Sequence, residues 1–262
     1  MKTITRDLSY LQNDIKIIPF ADFHIGDPNC NIKLIKELIK EVENDPYCFC
    51  LLGGDLMDSA TKNSIGDSYN AKMSPADQLD CITELLEPLA IKNKILAVVG
   101  GNHEARIRKE TSYDPTYLLC RNLNIDHLYS AETIVGFLKV GRKKSGGNKP
   151  FLYTFYLTHG HGGGRKAGGK VNSLEDLGNV VDVDIYFCGH THLPVLFKKD
   201  YLRANYTNQT ITQGTKLFIN TSSALKYGGY GEIQGYTPAA NAYPKVILNG
   251  TVGTKKIIKG IL

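Results

Sequence analysis

The sequence contains no tryptophan, only three methionines and no apolar run of the length that a membrane span needs. Its first thirteen residues, MKTITRDLSYLQN, lack the apolar centre of a secretory signal. The six cysteines include no CxxC pair, and most of them lie within apolar runs. We therefore expect a cytoplasmic protein with reduced thiols and no membrane partner.

Internal repeats and low-complexity tracts are also absent. The chain has 262 residues, of which 42% are hydrophobic and 22% are charged, and these are ordinary values for a globular protein. One hydrophobic core can support a chain of this length. We therefore predict a single domain that spans residues 1–262.

Histidine and aspartate recur where apolar runs end. Six of the seven histidines fall in four of five short clusters, the other cluster carries two aspartates, and each cluster follows a run typical of a buried strand. The clusters are Asp22-Phe23-His24, Gly53-Gly54-Asp55-Leu56-Met57-Asp58, Gly100-Gly101-Asn102-His103-Glu104, Thr158-His159-Gly160-His161 and Gly189-His190-Thr191-His192. A single His or Asp at a strand end is usually a turn cap. Five in this order indicate a site for a borderline divalent metal, because imidazole and carboxylate are its preferred ligands.

The order D-x-H, GD, GNH, H and GHxH resembles the motif set of the calcineurin-like metallophosphoesterase family, in particular its small phage and bacterial members with an exonuclease-like core. The motifs run from Asp22 to His192, about two thirds of the chain. The resemblance implies an α/β fold of two facing mixed β-sheets flanked by helices, with the metals at loops on one edge. Sequence patterns alone do not separate this fold from other α/β arrangements.

The resemblance also implies ligands for two divalent ions. One ion would be held by Asp22, His24, Asp55 and His192. The second ion would be held by Asp55, Asn102, His159 and His190, so that Asp55 bridges the pair. Such mixed ligation suits Mn, Fe, Ni or Zn, and we expect Mn²⁺ to be the activator.

His103 matches the catalytic histidine of the family, and Asp58 matches the aspartate that pairs with it in the protein-phosphatase branch. Two ions about 3.5–4 Å apart can hold the attacking and leaving oxygens of a displacement at phosphorus, with a metal-bridging hydroxide as nucleophile. His103 would act as general acid or stabilise the developing charge, and Asp58 would fix its tautomer. The alternative is a structural His103 and a helix-capping Asp58.

Acidic residues are absent from Thr133 to Leu174, although this segment carries eight basic residues. They are Lys139, Arg142, Lys143, Lys144, Lys149, Arg165, Lys166 and Lys170. The segment therefore carries a net charge of +8, and since the whole chain carries +5, the remaining residues carry −3. We predict a positive field around His159, where an anionic substrate would approach. Either these side chains only keep the surface soluble, or the loop from Gly162 to Lys170 closes over a phosphate.

Four residues next to the motifs are candidate substrate contacts, namely Arg106, His161, Arg165 and Lys166. Arg106 follows His103 by three residues and would bind a phosphate oxygen, or else form an ion pair with Glu110. His161 would contact the substrate or cap the glycine-rich loop. Glu104 is expected to form a structural hydrogen bond rather than to bind metal.

The segments between the clusters predict further helices and strands. Apolar residues at helical spacing predict a helix from Ile32 to Val42. A capping box at Ser74–Asp77 and the pair Asp114-Pro115 each predict the start of a helix. Val171–Val180 is the one late helix candidate. From Ile134 onward strands dominate. They are a hairpin around Lys143–Asn148, the two strands that lead to the histidine clusters, and then Lys216–Ile219 and Lys245–Leu248.

The C-terminal segment from Ser222 to Pro244 is rich in glycine and tyrosine. Its tyrosines would either stack on a nucleobase in the substrate cleft or anchor turns over the sheet edge. They are Tyr227, Tyr230, Tyr236 and Tyr243.

Together these patterns predict a hydrolase that cleaves phosphodiester bonds in a nucleotide or a nucleic acid such as DNA, that is, a nuclease or a nucleotide phosphodiesterase. A small-molecule phosphomonoesterase is the first alternative, and a non-catalytic metal-binding interaction scaffold is the second. Ser59-Ala60 follows Asp58 where the protein-phosphatase branch carries an arginine, so a protein phosphatase is disfavoured. The sequence does not predict the oligomeric state.

Overall fold

Two β-sheets of six strands each form the centre of the molecule in the computed structural model, which describes residues 1–61, 71–143, 149–162, 164–251, 253 and 256–262. The strands are β1 (Lys2–Leu8), β2 (Ile15–Phe20), β3 (Cys48–Leu52), β4 (Ile95–Val99), β5 (Tyr129–Ser130), β6 (Thr133–Val140), β7 (Phe151–Thr158), β8 (Ile185–Cys188), β9 (Val195–Asn205), β10 (Thr210–Asn220), β11 (Lys245–Leu248) and β12 (Ile258–Ile261). The helices are α1 (Ile32–Asn44), α2 (Pro75–Ile91), α3 (Asn102–Thr111), α4 (Pro115–Asn122), α5 (Ala167–Asp176) and α6 (Tyr230–Ile233).

Both sheets are mixed. The first sheet has the order β1-β6-β7-β8-β10-β9, and its antiparallel pairs are β6 with β7 and β9 with β10. The second sheet has the order β12-β11-β2-β3-β4-β5, and its strands from β2 to β5 are parallel. The carboxyl ends of β2, β3 and β4 therefore meet at one edge, where a ligand crevice is expected in an α/β fold.

The core lies between the two sheets and continues under the helices. Side chains of β3 and β4 are buried at every position, as expected for parallel strands covered on both faces. One apolar cluster joins Ile17 of the second sheet to Phe155 of the first sheet and to Ile35 of α1. A smaller cluster on the outer face of the first sheet packs Leu174 of α5 near the stacked rings of Tyr186 and Phe218. The predicted fold class is confirmed.

The predicted helices form where the local signals place them. Ser74 accepts a hydrogen bond from the Asp77 backbone N–H, and Asp77 accepts one from the Ser74 N–H, which completes the capping box of α2. Asp114 caps α4 by accepting from the Tyr117 N–H at 3.0 Å. The late helix α5 begins at Ala167, four residues before the predicted start at Val171.

The strands that the sequence did not predict are exposed or close to the termini. β1 lies within the first thirteen residues, for which the sequence predicts no strand, and it pairs in parallel with β6. β10 extends far beyond the predicted Lys216–Ile219, because its outer half pairs only with β9 and is solvent-exposed. Such a ribbon has little of the hydrophobic pattern on which strand prediction rests. The tip of the predicted hairpin at 144–148 lies outside the described residues.

All six cysteines are free thiols. Burial raises the pKa of Cys48 and of Cys188 to about 12, so both are unreactive near neutral pH. Among the described residues, no helix combines the length and the apolar character needed to cross a membrane.

Candidate metal centre

The clusters of His and Asp meet at the carboxyl ends of five strands. Asp22 and His24 follow β2, Asp55 follows β3, and Asn102 begins α3 just after β4. His159 follows β7, while His190 and His192 follow β8. The fold thus brings together residues that lie up to 170 positions apart in the chain, as Asp22 and His192 do.

The first ligand group consists of Asp22, His24 and His192. The Nε2 atoms of His24 and His192 lie 3.1 Å apart, and His192 Nε2 lies 3.3 Å from Asp22 Oδ1. The ligand atoms of the three residues all lie within 4.8 Å of one another. Burial and the charge of His103 hold the pKa of His24 well below its usual range, so His24 is a neutral imidazole that can donate a lone pair.

The second group consists of Asp55, Asn102, His159 and His190. His159 Nε2 lies 3.2 Å from Asp55 Oδ2 and 2.9 Å from Asn102 Oδ1. His190 Nδ1 lies 2.7 Å from the same amide oxygen and 3.3 Å from His159 Nε2. The charge of Asp55 acts on both His24 and His159, so this carboxylate lies near both groups.

His159 shows that this group suits a cation. Its Nδ1 lies 2.8 Å from the Gly53 carbonyl oxygen, which can only accept, so Nε2 is the atom left to bind an ion. Burial alone would lower the pKa of His159, but the charge of Asp55 and the hydrogen bond to it raise this pKa to about 10. A proton and a divalent cation therefore compete for the same place beside Asp55.

Five of the ligand residues adopt left-handed backbone conformations, which are rare outside glycine. The φ angles are 56° for Asp22, 49° for His24, 51° for Asp55, 66° for His190 and 55° for His192. Each such residue costs on the order of 1–3 kcal/mol and persists only where its surroundings hold it. The Asp22 N–H donates to the Gly54 carbonyl, and the His24 N–H donates to the Asp55 carbonyl, each at 3.0 Å.

Glu104 holds the turn that carries Asp55. Its buried carboxylate accepts from the backbone N–H groups of Asp55, Met57 and Gly101 at 3.0 to 3.2 Å. Burial and the nearby Asp55 raise the pKa of Glu104 to about 7. The predicted structural role of Glu104 is thus confirmed.

Gly54 lies so close to Gly101 that a Cβ atom on Gly54, where φ is +88°, would lie 2.6 Å from the Gly101 Cα.

His103 lies beside both ligand groups. Its ring centroid is 4.4 Å from that of His24, and its Nε2 is 3.7 Å from Asp55 Oδ2. Its Nδ1 lies 2.8 Å from the Asp58 carbonyl oxygen and 3.2 Å from the Asp58 carboxylate. The backbone carbonyl therefore fixes the tautomer, and the carboxylate adds charge. Burial opposes a proton on His103, but Asp55 and Asp58 raise its pKa above the ordinary value.

The sequence profile of the calcineurin-like phosphoesterases matches residues 15–194, which include every residue of both ligand groups. This chain belongs to the calcineurin-like phosphoesterase family. Membership supports a phosphoesterase hydrolase, and the His and Asp groups are suited to a divalent metal without selecting which one.

Several solved structures are similar to this chain. Vacuolar protein sorting 29 of Cryptosporidium parvum is 17% identical, with a TM-score of 0.47 over 95% of this chain and 97% of that one. A predicted phosphoesterase of Streptococcus pneumoniae TIGR4 is 17% identical, with a TM-score of 0.36 over 95% and 97%. Vps29 of Entamoeba histolytica complexed with Zn²⁺ is 15% identical, with a TM-score of 0.35 over 94% and 98%. No curated protein sequence matches the chain significantly.

Arg106 is a candidate substrate contact on α3, the helix that begins at Asn102. It follows His103 by three residues on α3, and its charge lowers the pKa of His103, so the two side chains are close. Its buried Nη1 has no hydrogen-bond partner in the part of the chain that the structure describes. The alternative ion pair with Glu110 does not occur among those residues, and Glu110 accepts from the Thr61 hydroxyl instead.

The other candidate contacts of the phosphoesterase lie on the glycine-rich loop. His161, Arg165 and Lys166 are all exposed. The Arg165 guanidinium carbon lies 5.9 Å from the centre of the Tyr236 ring. Lys170 is engaged elsewhere, because its Nζ donates to the Thr191 carbonyl oxygen at 2.7 Å.

Half of the basic segment lies far from the metal centre. Val140 pairs with Phe151, and Thr133 pairs with Thr158, which precedes His159. Phe151 and Thr158 are the ends of an eight-residue strand, which is about 24 Å long. The prediction that the whole segment surrounds His159 is therefore wrong for the residues at the hairpin end, Lys139, Arg142, Lys143 and Lys149. Lys144 lies outside the described residues.

Two of the four C-terminal tyrosines, Tyr243 and Tyr227, make contacts that anchor turns, and base stacking stays a prediction. Tyr243 is buried, donates to the Ala21 carbonyl at 3.2 Å and packs edge-on against Phe23, so it anchors the turn before the first ligands. Tyr227 donates to the Tyr236 carbonyl at 3.0 Å. The Tyr230 side chain lies outside the described part of the structure.

One residue that supports the metal centre was not predicted. Asn220, at the end of β10, donates from its side-chain amide to Thr191 Oγ1 and to the Leu193 carbonyl, on the turn that carries two ligand histidines. The signal was present, since Asn220-Thr221-Ser222-Ser223 is a polar run directly after the apolar end of a strand. The run contains no histidine or carboxylate, so a pattern based on metal ligands does not include it.

Proposed function

We propose that this chain hydrolyses phosphodiester bonds in a nucleotide or a short nucleic acid with the help of two divalent ions, of which Mn²⁺ is the expected activator. The observation that carries the proposal is the placement of His103 beside two ligand groups that share the influence of Asp55. One ion would be held by Asp22, His24, Asp55 and His192, and the other by Asp55, Asn102, His159 and His190.

Two divalent ions would supply Lewis acidity to a phosphoryl oxygen and would lower the pKa of water at the site. The protein groups carry out the remaining steps. His103 keeps Nδ1 bound to Asp58, so a proton on Nε2 is available for the leaving alkoxide. The buried Nη1 of Arg106 has no hydrogen-bond partner among the described residues, and its N–H would donate to a non-bridging phosphoryl oxygen.

The distribution of charge favours a substrate of nucleotide size over a long duplex. Of the described basic residues next to the motifs and on the glycine-rich loop, Arg106, Arg165 and Lys166 remain candidate phosphate contacts, because Lys170 binds the Thr191 carbonyl. A protein that tracks a long polyanion commonly contacts about 6–10 phosphates. Arg165, which is exposed beside the Tyr236 ring, would contact a base or a second phosphate of a short substrate.

A second candidate is a small-molecule phosphomonoesterase. A monoester dianion carries one more negative charge than a diester, and the guanidinium of Arg106, whose Nη1 has no partner in the described part of the chain, would suit that charge. The two candidates differ in a single assay, the relative turnover of an aryl phosphodiester and an aryl phosphomonoester.

The test compares the wild-type chain with His103→Ala on both aryl esters, with Mn²⁺ added and the bound metal measured in the same samples. We expect diester turnover by the wild type, and retention of both ions by the variant with a loss of about 10²–10⁴-fold in kcat. Unchanged turnover by a metal-loaded variant would remove His103 from the proposal. Faster monoester turnover would select the second candidate, and no turnover with Mn, Fe, Ni or Zn would refute both.

A further inference from the structure

The side chains of Asn220 and Lys170 donate hydrogen bonds to the turn that carries His190 and His192. Asn220 is 3% exposed, and its amide nitrogen lies 2.9 Å from Thr191 Oγ1 and 2.7 Å from the Leu193 carbonyl oxygen. Lys170 of α5 donates to the Thr191 carbonyl oxygen at 2.7 Å. Thr191 therefore receives one hydrogen bond from β10 and one from α5.

This turn needs such support because its backbone is strained. His190 and His192 have φ angles of 66° and 55°, and only Thr191 lies between them. On the ligand side, the His190 N–H donates to Asp22 Oδ2 at 2.9 Å. The His192 side chain is 36% exposed, so packing does little to fix its ring. The bonds to Thr191 and Leu193 thus supply much of the restraint that keeps both rings in place.

We propose that Asn220 and Lys170 are positioning residues that hold the turn from His190 to His192 in its ligand geometry, and so set the affinity for both divalent ions without contacting either. The inference rests on the metal centre of the proposed function. It extends that function, because it assigns a role in ion affinity to two residues outside the ligand groups.

The shared turn determines which ions are affected. His192 belongs to the first ligand group and His190 to the second. A defect at Asn220 or Lys170 therefore weakens both sites together. Loss of a side chain that orients a ligand typically costs about 10- to 100-fold in metal affinity.

The first variant is Asn220→Asp, which keeps the size of the side chain and removes both donors. Its carboxylate would face the Leu193 carbonyl oxygen, and this repulsion would release the turn. The matched control is Asn241→Asp. Asn241 also donates from its amide to two backbone carbonyls, those of Ser223 and Leu225, but in a segment that contains no ligand residue.

The second variant is Lys170→Met, which removes the donor from a partly exposed helix position and is compatible with folding. Lys170→Arg restores a cationic donor to the Thr191 carbonyl and serves as the conservative rescue. Both pairs of variants are compared in the full chain after dialysis against a chelator.

Three readouts apply, and none is turnover. Calorimetric titration gives the stoichiometry and affinity for Mn²⁺, and the visible spectrum of the Co²⁺-loaded protein reports ligand geometry. The melting temperature is measured without metal and with one fixed excess of Mn²⁺, because an ion that binds only the native state raises it with the logarithm of its affinity.

We expect Asn220→Asp and Lys170→Met to bind both ions about 10- to 100-fold more weakly, with an altered Co²⁺ spectrum and a smaller rise in melting temperature. Asn241→Asp and Lys170→Arg should match the wild type in all three readouts. Wild-type Mn²⁺ affinity in both Asn220→Asp and Lys170→Met would overturn the inference, as would a lowered metal-free melting temperature with unchanged affinity. If the wild type binds two ions but hydrolyses no ester, the proposed function fails while this inference stands.

Discussion

The pairing of His103 with Asp58 gives a quantitative prediction about the charge of Asp58. In Asp58→Asn the carboxylate is replaced by an amide of the same shape, so a neutral acceptor oxygen remains near His103 Nδ1. The shorter contact of 2.8 Å is made by the Asp58 backbone carbonyl, which the substitution does not remove. The imidazole should therefore keep its tautomer and its orientation, and lose only the charge of a partner 3.2 Å away.

The size of the effect follows from the difference between charged and neutral hydrogen bonds. A hydrogen bond to a charged group contributes about 1.5–3 kcal/mol, and one between neutral groups contributes about 0.5–1.5 kcal/mol. The difference of roughly 1 kcal/mol predicts a loss of about 5- to 10-fold in kcat. If the carboxylate alone fixed the tautomer, the loss would instead approach the ~10⁴-fold seen when a serine-protease aspartate is replaced by asparagine.

The assay is kcat for the metal-loaded variant on two phosphodiesters, one with an aryl leaving group and one with an alkyl leaving group. An alkoxide needs a proton more than a stabilised aryl oxide does, so the loss should be larger for the alkyl ester. On the aryl ester, the loss in kcat should be close to the lower end of the predicted range, about 5-fold. A loss of about 10³-fold or more with both ions bound, or no loss on either ester, would refute this account of the pair.

Four further predictions concern the metal centre and its surroundings. Asp55→Asn should lose both ions together in metal analysis of the purified protein, whereas two tightly bound ions would contradict the bridging role. Because the pKa of His159 is raised from 6.5 to about 10, the metal-free protein should lose stability as pH rises between these values, and His159→Gln should reduce this slope in thermal unfolding. Glu104→Gln turns an amide N–H toward backbone N–H groups, so the free energy of unfolding measured in urea should fall by about 1–3 kcal/mol. An unchanged urea midpoint would argue against the three hydrogen bonds of Glu104. Arg165→Gln should reduce the salt dependence of KM for a short oligonucleotide by about 0.7–0.9 per contact, while Lys143→Gln at the far end should not, and equal effects would contradict the register of the hairpin.

The clustering of the candidate ligand residues was predictable because they follow strands with strong apolar signals. Parallel strands such as β2 and β3 end at the same edge, so side chains that follow them in sequence must meet in space. The same reasoning failed for charge, because Lys143 and Arg165 are near in sequence but lie at opposite ends of an antiparallel strand. Proximity along the chain predicts proximity in space only when no strand runs between the two residues.

Other parts of the fold carry too weak a local signal. The outer half of β10 is exposed on both faces, so neither alternation nor an apolar run marks it. The hydrogen bond from His103 to the Asp58 carbonyl could not be predicted either, because backbone acceptors look alike at every position of a sequence. Asn220 was within reach of prediction, but only for an argument that considers amides as well as metal ligands.

The left-handed backbone at five ligand residues also constrains how this sequence can change over time. Asp, Asn and His tolerate positive φ better than branched or bulky residues do, and glycine tolerates it best. At His190 and His192, a glycine would relieve strain and would so favour the folded chain when no ion is required. Sequences with this fold that need no ion at the site would therefore tend toward glycine and asparagine at these positions and would keep the fold.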